Sequence, residues 1–349
     1  MSAGFRSVQW NRYKIAYDAT LAVLVGAYLL AFLYLGPLAW PANAAVDPQI
    51  VRMRAFGSCA FLMLTAILSI GPLARLDRRF LPLLYNRRHF GVMACAVAVL
   101  HAVSVLDWYH SHGSLPPLVS MLASNPRYLS FAGFPFEILG VAALAILIAM
   151  AATSNDFWLA FLAPPVWKAL HMLIYPAYAA VVMHVMLGVV QGEQSPILPG
   201  LMAACFSLVA GLHIAAGWRE RRRDAAPAAA DDWLDVGLPD SIPEGAARVV
   251  ATPGGERIAV FRSADRFSAL SNVCAHQNGP LGEGRIIDGC VTCPWHGFQY
   301  RVEDGCAPPP FSERVPNFRL RIAHGILQVD RRALPPGTYV DPLDMSAAR

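Results

Sequence analysis

Cys274-Ala275-His276 and, after sixteen intervening residues, Cys293-Pro294-Trp295-His296 decide how the C-terminal part of this chain is read. Two Cys/His pairs set in such short motifs make a metal site, and the ligand pattern selects the metal. Two thiolates and two imidazoles could hold a tetrahedral zinc, but structural zinc sites usually pair Cys with Cys and His with His at separate places. Here each pair is mixed.

A Rieske [2Fe–2S] cluster has one iron held by two thiolates and the other by two imidazoles. Two loops that each give one Cys and one His therefore supply Cys274, His276, Cys293 and His296 as its ligands. Gly279-Pro280-Leu281 and Gly297 add tight, small-residue turns whose backbone amides can approach the cluster sulfurs. From about Gly237 to Asp330 the chain resembles the Rieske domain of dioxygenase ferredoxins, including Leu281-Gly282-Glu283-Gly284 and Cys293-Pro294-Trp295-His296-Gly297. The resemblance implies a small all-β sandwich. It also implies that Tyr300 is a donor to the cluster and that Pro309, in Pro308-Pro309-Pro310, helps cover it. Rieske subunits of quinol-oxidising complexes carry an extra cysteine in each loop, where this chain has Gly279 and Trp295, so the ferredoxin type is expected. Phe298 stands where high-potential members place a serine, which implies a potential in the lower or middle part of the roughly −150 to +300 mV Rieske range. Cys290 and Cys306 join neither pair and are read as structural.

The remainder of the chain is of another kind. Of 349 residues 56% are hydrophobic and 15% charged, with a mean hydropathy of +0.42, too apolar for a soluble protein of this size. Six apolar segments, at about 15–37, 56–74, 90–108, 131–152, 167–190 and 196–217, each approach the ~20 residues a helix needs to cross hydrocarbon. Arg6, Arg12 and Lys14, the cluster Arg75 to Arg88, Lys168, and Arg219 to Arg223 fall on one side if all six cross, and the positive-inside rule makes that side cytoplasmic. Arg52 and Arg54 are the exception, on the opposite side. The net charge of +4 reflects these loop clusters, and no nucleic-acid partner is expected. A polar segment precedes the first apolar run, which is read as a retained helix and not a cleaved signal.

The expected organisation is a membrane all-α six-helix bundle over 1–217, an Ala/Pro linker over 218–235, the Rieske sandwich over 236–330 and a tail over 331–349. Strands are expected at 247–251, 257–261, 267–270, 289–292, 298–301, 319–322 and 326–329, with turns between them. Both termini and the Rieske domain are expected to face the cytoplasm of a bacterium from its inner (plasma) membrane.

Histidines within membrane-spanning helices are rare and usually functional, and imidazole is a common axial ligand of haem iron. This directs attention to His101, His171 and His184. Asn86-Arg87-Arg88-His89-Phe90-Gly91 with Ala98-Val99-Leu100-His101-Ala102, then Thr153-Ser154-Asn155, Trp167 to His171, Tyr175 and His184, resemble the ferric reductase-like transmembrane domain over about residues 20–190. That family includes the membrane parts of NADPH oxidases and the haem subunit of bacterial methionine sulfoxide reductase systems. The resemblance implies b-type haem, one or two.

On the topology above, His89 and His171 lie shallow on two helices that run outward from the cytoplasm. His101 and His184 lie twelve and thirteen residues further along, roughly 18–20 Å deeper at about 1.5 Å per residue. Two layers follow, His89 with His171 and His101 with His184. Spacings of twelve and thirteen do not return to one helix face at 3.6 residues per turn, so some tilt or rotation between layers is required. His89 also follows two arginines at a membrane interface, which accounts for it equally well without iron. Glu137, near the outer end of the fourth segment, is read as a helix-end carboxylate, with a proton path or a substrate contact as the other readings.

Relatives of the membrane domain carry a flavin and nicotinamide domain at the same terminus. Here the Rieske domain is expected to replace it, so no flavin is expected in this chain and a separate ferredoxin or flavin reductase is the expected donor. The acceptor stays unnamed. Quinol as donor, with a catalytic subunit on the outer side, is an alternative, as is a redox sensor. A Rieske oxygenase would need a mononuclear iron held by two His and a carboxylate, on a further domain after the Rieske fold.

Overall fold

The computed structural model describes the chain except residues 1–11, 40–45, 85, 131–132, 155–157, 159–161, 163, 189–195, 225–231, 254, 277, 296, 310 and 346–349. His296, Asn155, Pro310 and residues 225–231 of the expected linker lie outside the described residues. Two compact units form, one from Trp10–Ser69 and Asn86–Leu212, the other including Ile70–Tyr85 and His213–Arg349.

The helices that matter are α1 (Arg12–Leu35), α2 (Pro48–Leu76), α3 (Arg87–His110), α4 (Phe136–Ala152), α5 (Pro164–Met172), α6 (Ile174–Leu187) and α7 (Ile197–Asp224). Among the described residues five spans are long and apolar enough to cross a membrane, with α5 and α6 together forming the span Val166–Leu187. This is a multi-pass membrane protein. The fourth expected span is shorter than the sequence suggested: α4 starts after Pro135 and has 17 residues, about 26 Å of rise against a hydrocarbon core of about 30 Å. Among the described residues the six expected segments correspond to five full-length spans and this one shorter apolar helix.

Other boundaries differ for identifiable reasons. Pro48 opens α2, as proline favours the first helical position, so Arg52 and Arg54 lie in its first turns and not in a loop. Helix α7 continues to Asp224 because Arg and Glu are good helix formers once the apolar stretch ends. The fifth expected segment is broken at Leu173, whose N–H bonds to the Leu170 carbonyl at 3.1 Å in a tighter turn. Pro176 has no N–H to continue the ladder there.

In the first unit α2 is the central helix. Its Cys59, Phe61 and Leu64 pack with Ala94 and Cys95 of α3, Leu147 of α4 and Tyr178 of α6. Tyr178 stacks on Phe61 with ring centres 5.8 Å apart and shares a 2.9 Å hydrogen bond with Thr65. Leu24, Tyr34 and Leu208 are exposed, which suits helix faces turned to lipid.

The second unit carries β1 (Trp233–Gly237), β2 (Ala247–Ala251), β3 (Arg257–Ser263), β4 (Arg266–Ser271), β5 (Arg285–Ile287), β6 (Cys290–Thr292), β7 (Gln299–Arg301), β8 (Asn317–Phe318), β9 (Leu320–Ala323), β10 (Ile326–Asp330) and β11 (Leu343–Asp344). They form antiparallel sheets β1-β10-β9, β11-β4-β3-β2 with β8 on β4, and β5-β6-β7. Strand β3 is buried on both faces: Ile258 and Val260 enter one apolar cluster, Ala259 and Phe261 the other, as the two-residue period of a strand requires. Strand β1, within the stretch assigned to linker and domain start, turns Leu234 and Val236 inward and Asp235 outward. Beyond Asp330, in the stretch read as a tail, β11 pairs with β4.

The sheet that leads to the cluster loops is β5-β6-β7. Ile287 pairs with Cys290 across Asp288 and Gly289, both at positive φ, +49° and +75°. This is the mirror-image turn that matches strand twist, and Asp-Gly is a preferred sequence for it.

Candidate metal centres

The two Cys/His motifs occupy two loops of one backbone design. In the first, the Cys274 N–H donates to the Gly279 carbonyl at 2.9 Å and the Asn278 N–H returns to the Cys274 carbonyl at 2.7 Å. In the second, the Cys293 N–H donates to the Phe298 carbonyl and the Gly297 N–H to the Cys293 carbonyl, both at 2.8 Å. Each turn needs its fifth residue at positive φ, +57° at Asn278 and +72° at Gly297, where glycine and asparagine are the tolerated types. Matching turns thus arise although His follows Cys by two residues in one loop and by three in the other.

Cys274 and Cys293 are buried and share one cluster with Leu281, Val291, Phe298 and Tyr300. Gly279 leaves room between the loops: a β-carbon there would lie 2.7 Å from Cys293 Sγ. The Tyr300 hydroxyl sits 3.3 Å from Cys274 Sγ and accepts the His276 N–H at 3.2 Å. Burial, then the neighbouring Cys274, pushes its phenol far above the ordinary value, so it remains a neutral hydroxyl. Phe298 stacks on the His276 ring at 4.8 Å and 10°, and Phe311 meets Phe298 edge-on at 4.9 Å. All seven cysteines are free thiols. The described donor set, two buried thiols and an imidazole with the Tyr300 hydroxyl beside them, fits a [2Fe–2S] cluster whose fourth ligand would be His296.

Pro309, expected to help cover the cluster, precedes Phe311 by two positions. It is exposed, in the turn closed by the Phe311 N–H to the Pro308 carbonyl at 3.2 Å, and Phe311 is the side chain that reaches the aromatic cover.

In the helical unit, His101 and His184 are brought together, ring centres 6.4 Å apart and nearly perpendicular at 83°. His101 Nδ1–H donates to the Met53 carbonyl at 3.0 Å and His184 Nδ1–H to the Phe136 carbonyl at 2.8 Å. Both rings are thereby held with Nε2 as the nitrogen carrying the lone pair. A metal–imidazole bond of about 2 Å plus roughly 1 Å from nitrogen to ring centre, taken twice, comes to about 6 Å, so His101 and His184 are at a separation from which both would hold one iron.

His89 and His171 are held by other means. His89 Nδ1 lies 2.6 Å from Asp18 Oδ2, and Asn86 donates to the other oxygen of that carboxylate at 2.6 Å. His171 donates from Nδ1 to the Trp167 carbonyl at 3.0 Å, stacks on the Trp167 ring at 3.7 Å, and has Nε2 3.4 Å from Ser154 Oγ. Glu137 lies in the first turn of α4, and its Oε2 is buried with no hydrogen-bond partner among the described residues. Asp18 was within reach of sequence reasoning, as a carboxylate inside an apolar helix. Phe311 left no comparable signal.

Two Cys/His loops above a three-stranded antiparallel sheet define a Rieske-type iron–sulfur protein, joined here to a histidine-bearing membrane bundle. The Rieske [2Fe-2S] domain family matches residues 232–319, and the ferric reductase like transmembrane component matches residues 54–182. This chain belongs to the Rieske ferredoxins, fused behind a ferric reductase like membrane domain. It is 36% identical over 104 residues to the anthranilate 1,2-dioxygenase ferredoxin subunit of Burkholderia cepacia, covering 28% of this chain and 92% of that one. It is 33% identical over 105 residues to a cholesterol 7-desaturase of Ciona intestinalis, of whose length it spans 22%. A solved complex of reduced oxygenase and oxidized ferredoxin in carbazole 1,9a-dioxygenase aligns with 30% of this chain and 96% of its own, at 27% identity and a TM-score of 0.28. The Rieske domain supports a [2Fe–2S] cluster, and the chain has a redox, electron-transferring role.

Proposed function

We propose that this chain carries single electrons across a membrane, between a cytoplasmic Rieske cluster on Cys274, His276, Cys293 and His296 and b-type haem held by His101 with His184. A second haem, nearer the cytoplasm, is assigned to His89 with His171. Bound cluster and haem each cycle by one electron, and the protein's part is to hold, space and tune them.

The observation that carries this reading is the His101–His184 pair, 6.4 Å apart with each Nδ1–H on a backbone carbonyl. Such partners fix the tautomer and orientation of a ligating imidazole and raise its basicity. In the β unit, the Tyr300 hydroxyl lies 3.3 Å from Cys274 Sγ, and a hydrogen bond donated to sulfur raises the potential of a sulfur-ligated centre. Phe298 covers the His276 ring and keeps water from that side. The donor is a separate ferredoxin or flavin reductase, and the acceptor lies beyond the outer histidines.

A second reading, exchange with a quinone at the membrane, draws on Glu137, because a buried carboxylate oxygen beside the histidine layer offers a place to take or give a proton.

Haem and iron should be quantified in the purified full chain, and reduced-minus-oxidised spectra recorded before and after His101→Ala and His184→Ala. The expected result is haem whose bis-histidine spectrum both variants lose, and whose reduction follows reduction of the cluster by an added donor. Haem that stays oxidised while the cluster is reduced would sink the relay.

A further inference from the structure

The outer histidines share a detail that extends beyond their spacing. His101 donates to the carbonyl of Met53 and His184 to the carbonyl of Phe136, and in both pairs 48 residues separate donor from acceptor. Four residues after each acceptor, one helical turn on and on the same face, stands a glycine: Gly57 and Gly140. A β-carbon on Gly57 would lie 3.0 Å from His101 Cε1 and Nδ1, and one on Gly140 would lie 2.9 Å from the same atoms of His184. The Cα–Cβ bond of a helical residue tilts toward the helix N-terminus. A side chain at either position would therefore project into the space the imidazole crosses to reach its carbonyl.

The bland account of glycine in membrane helices is close helix packing. Here the three nearest atoms to each added β-carbon all belong to the histidine ring and none to the neighbouring backbone. Elsewhere in the helices Gly91, Gly200 and Gly211 have nothing within 4 Å of such a carbon. His171 takes the carbonyl of Trp167 on its own helix and His89 takes Asp18, so neither is bonded to a carbonyl beneath a glycine notch.

We infer that Gly57 and Gly140 are positioning residues for the outer haem: each leaves the notch through which an axial imidazole anchors Nδ1–H on the facing helix and presents Nε2 to the iron. This rests on the proposed ligation by His101 and His184. Phe136 reinforces the second notch, packed 5.3 Å from the His184 ring and against Gly188, where a β-carbon would lie 2.8 Å from its ring.

The test uses purified full-length protein with Gly57→Ala, Gly140→Ala, His184→Ala and, as a control, Gly211→Ala. The haem that His184→Ala abolishes defines the outer site. Gly140→Ala should retain that portion about tenfold less well, the usual scale for losing the partner that orients a ligand. Gly57→Ala should lose less, because its contact is the looser of the two. Any haem left at the site should shift from low-spin toward high-spin absorption and change its midpoint potential, while Gly211→Ala keeps the wild-type spectrum. If both glycine variants keep the low-spin spectrum and potential while His184→Ala loses it, the positioning role is wrong and the ligation stands. If His184→Ala changes nothing, the ligation itself is wrong, and the positioning role falls with it. If the glycine variants fail to accumulate while His184→Ala and Gly211→Ala do, general helix packing replaces positioning as the role of these residues.

Discussion

A β-carbon on Gly279 would stand 2.7 Å from Cys293 Sγ, so the first cluster loop approaches the second closely enough to exclude any side chain at this point. Gly279→Ala must push the loops apart. The variant is expected to retain about tenfold less cluster, measured as iron and acid-labile sulfide per chain and as the reduced-cluster electron paramagnetic signal. Full cluster content would show that the loops have slack.

Tyr300→Phe removes the hydroxyl beside Cys274 Sγ and the His276 N–H while keeping the buried ring. Loss of a hydrogen bond worth about 1 kcal/mol corresponds to a fall of about 40 mV in a one-electron couple. A redox titration should find that drop at unchanged cluster content. The unmodified protein should titrate below the upper end of the Rieske range, since Phe298 offers no donor.

His89→Ala separates one haem from two. The expected outcome is loss of one haem equivalent with the His101–His184 spectrum intact, read from haem per chain. Asp18→Asn should lower the potential difference between the two haems, because a carboxylate on Nδ1 makes the ligand more electron-rich than a carbonyl does. Unchanged haem content in His89→Ala would leave His89 and Asp18 as an interfacial pair.

Acid should weaken the β unit through Asp330. Burial pushes its carboxyl up, but the guanidinium and backbone N–H of Arg332 more than offset that and hold it below the ordinary 3.8. A depressed folded value contributes stability that is present in full above the unfolded value, about 3.9, and is lost as pH falls through the folded one. Asp330→Asn should flatten that acid limb, followed as thermal melting of the cluster absorbance between about pH 5 and pH 2.5.

How much of this could be read from the sequence depended on how local each signal was. The strand Ala247–Ala251 is legible to the residue because the β-branched pair Val249 and Val250 is closed off by the turn that follows at Thr252. The Cys/His motifs named their cofactor because ligand chemistry is carried by residue type. Strands Asn317–Phe318 and Leu343–Asp344 have two residues each, too few for any period, and exist only through pairing with β4. The pairing of His101 with His184 followed from depth along two helices, a property of register. The notches at Gly57 and Gly140 could not be read that way, because a missing β-carbon acquires meaning only when the facing ring is in place.

The turn at Leu173 has a consequence for how the membrane unit bears load. His171 belongs to one short rigid rod and His184 to the next, with a proline-weakened joint between them. Bending at the joint would swing the His171 ring while the His184 ring stays moored to the Phe136 carbonyl on α4.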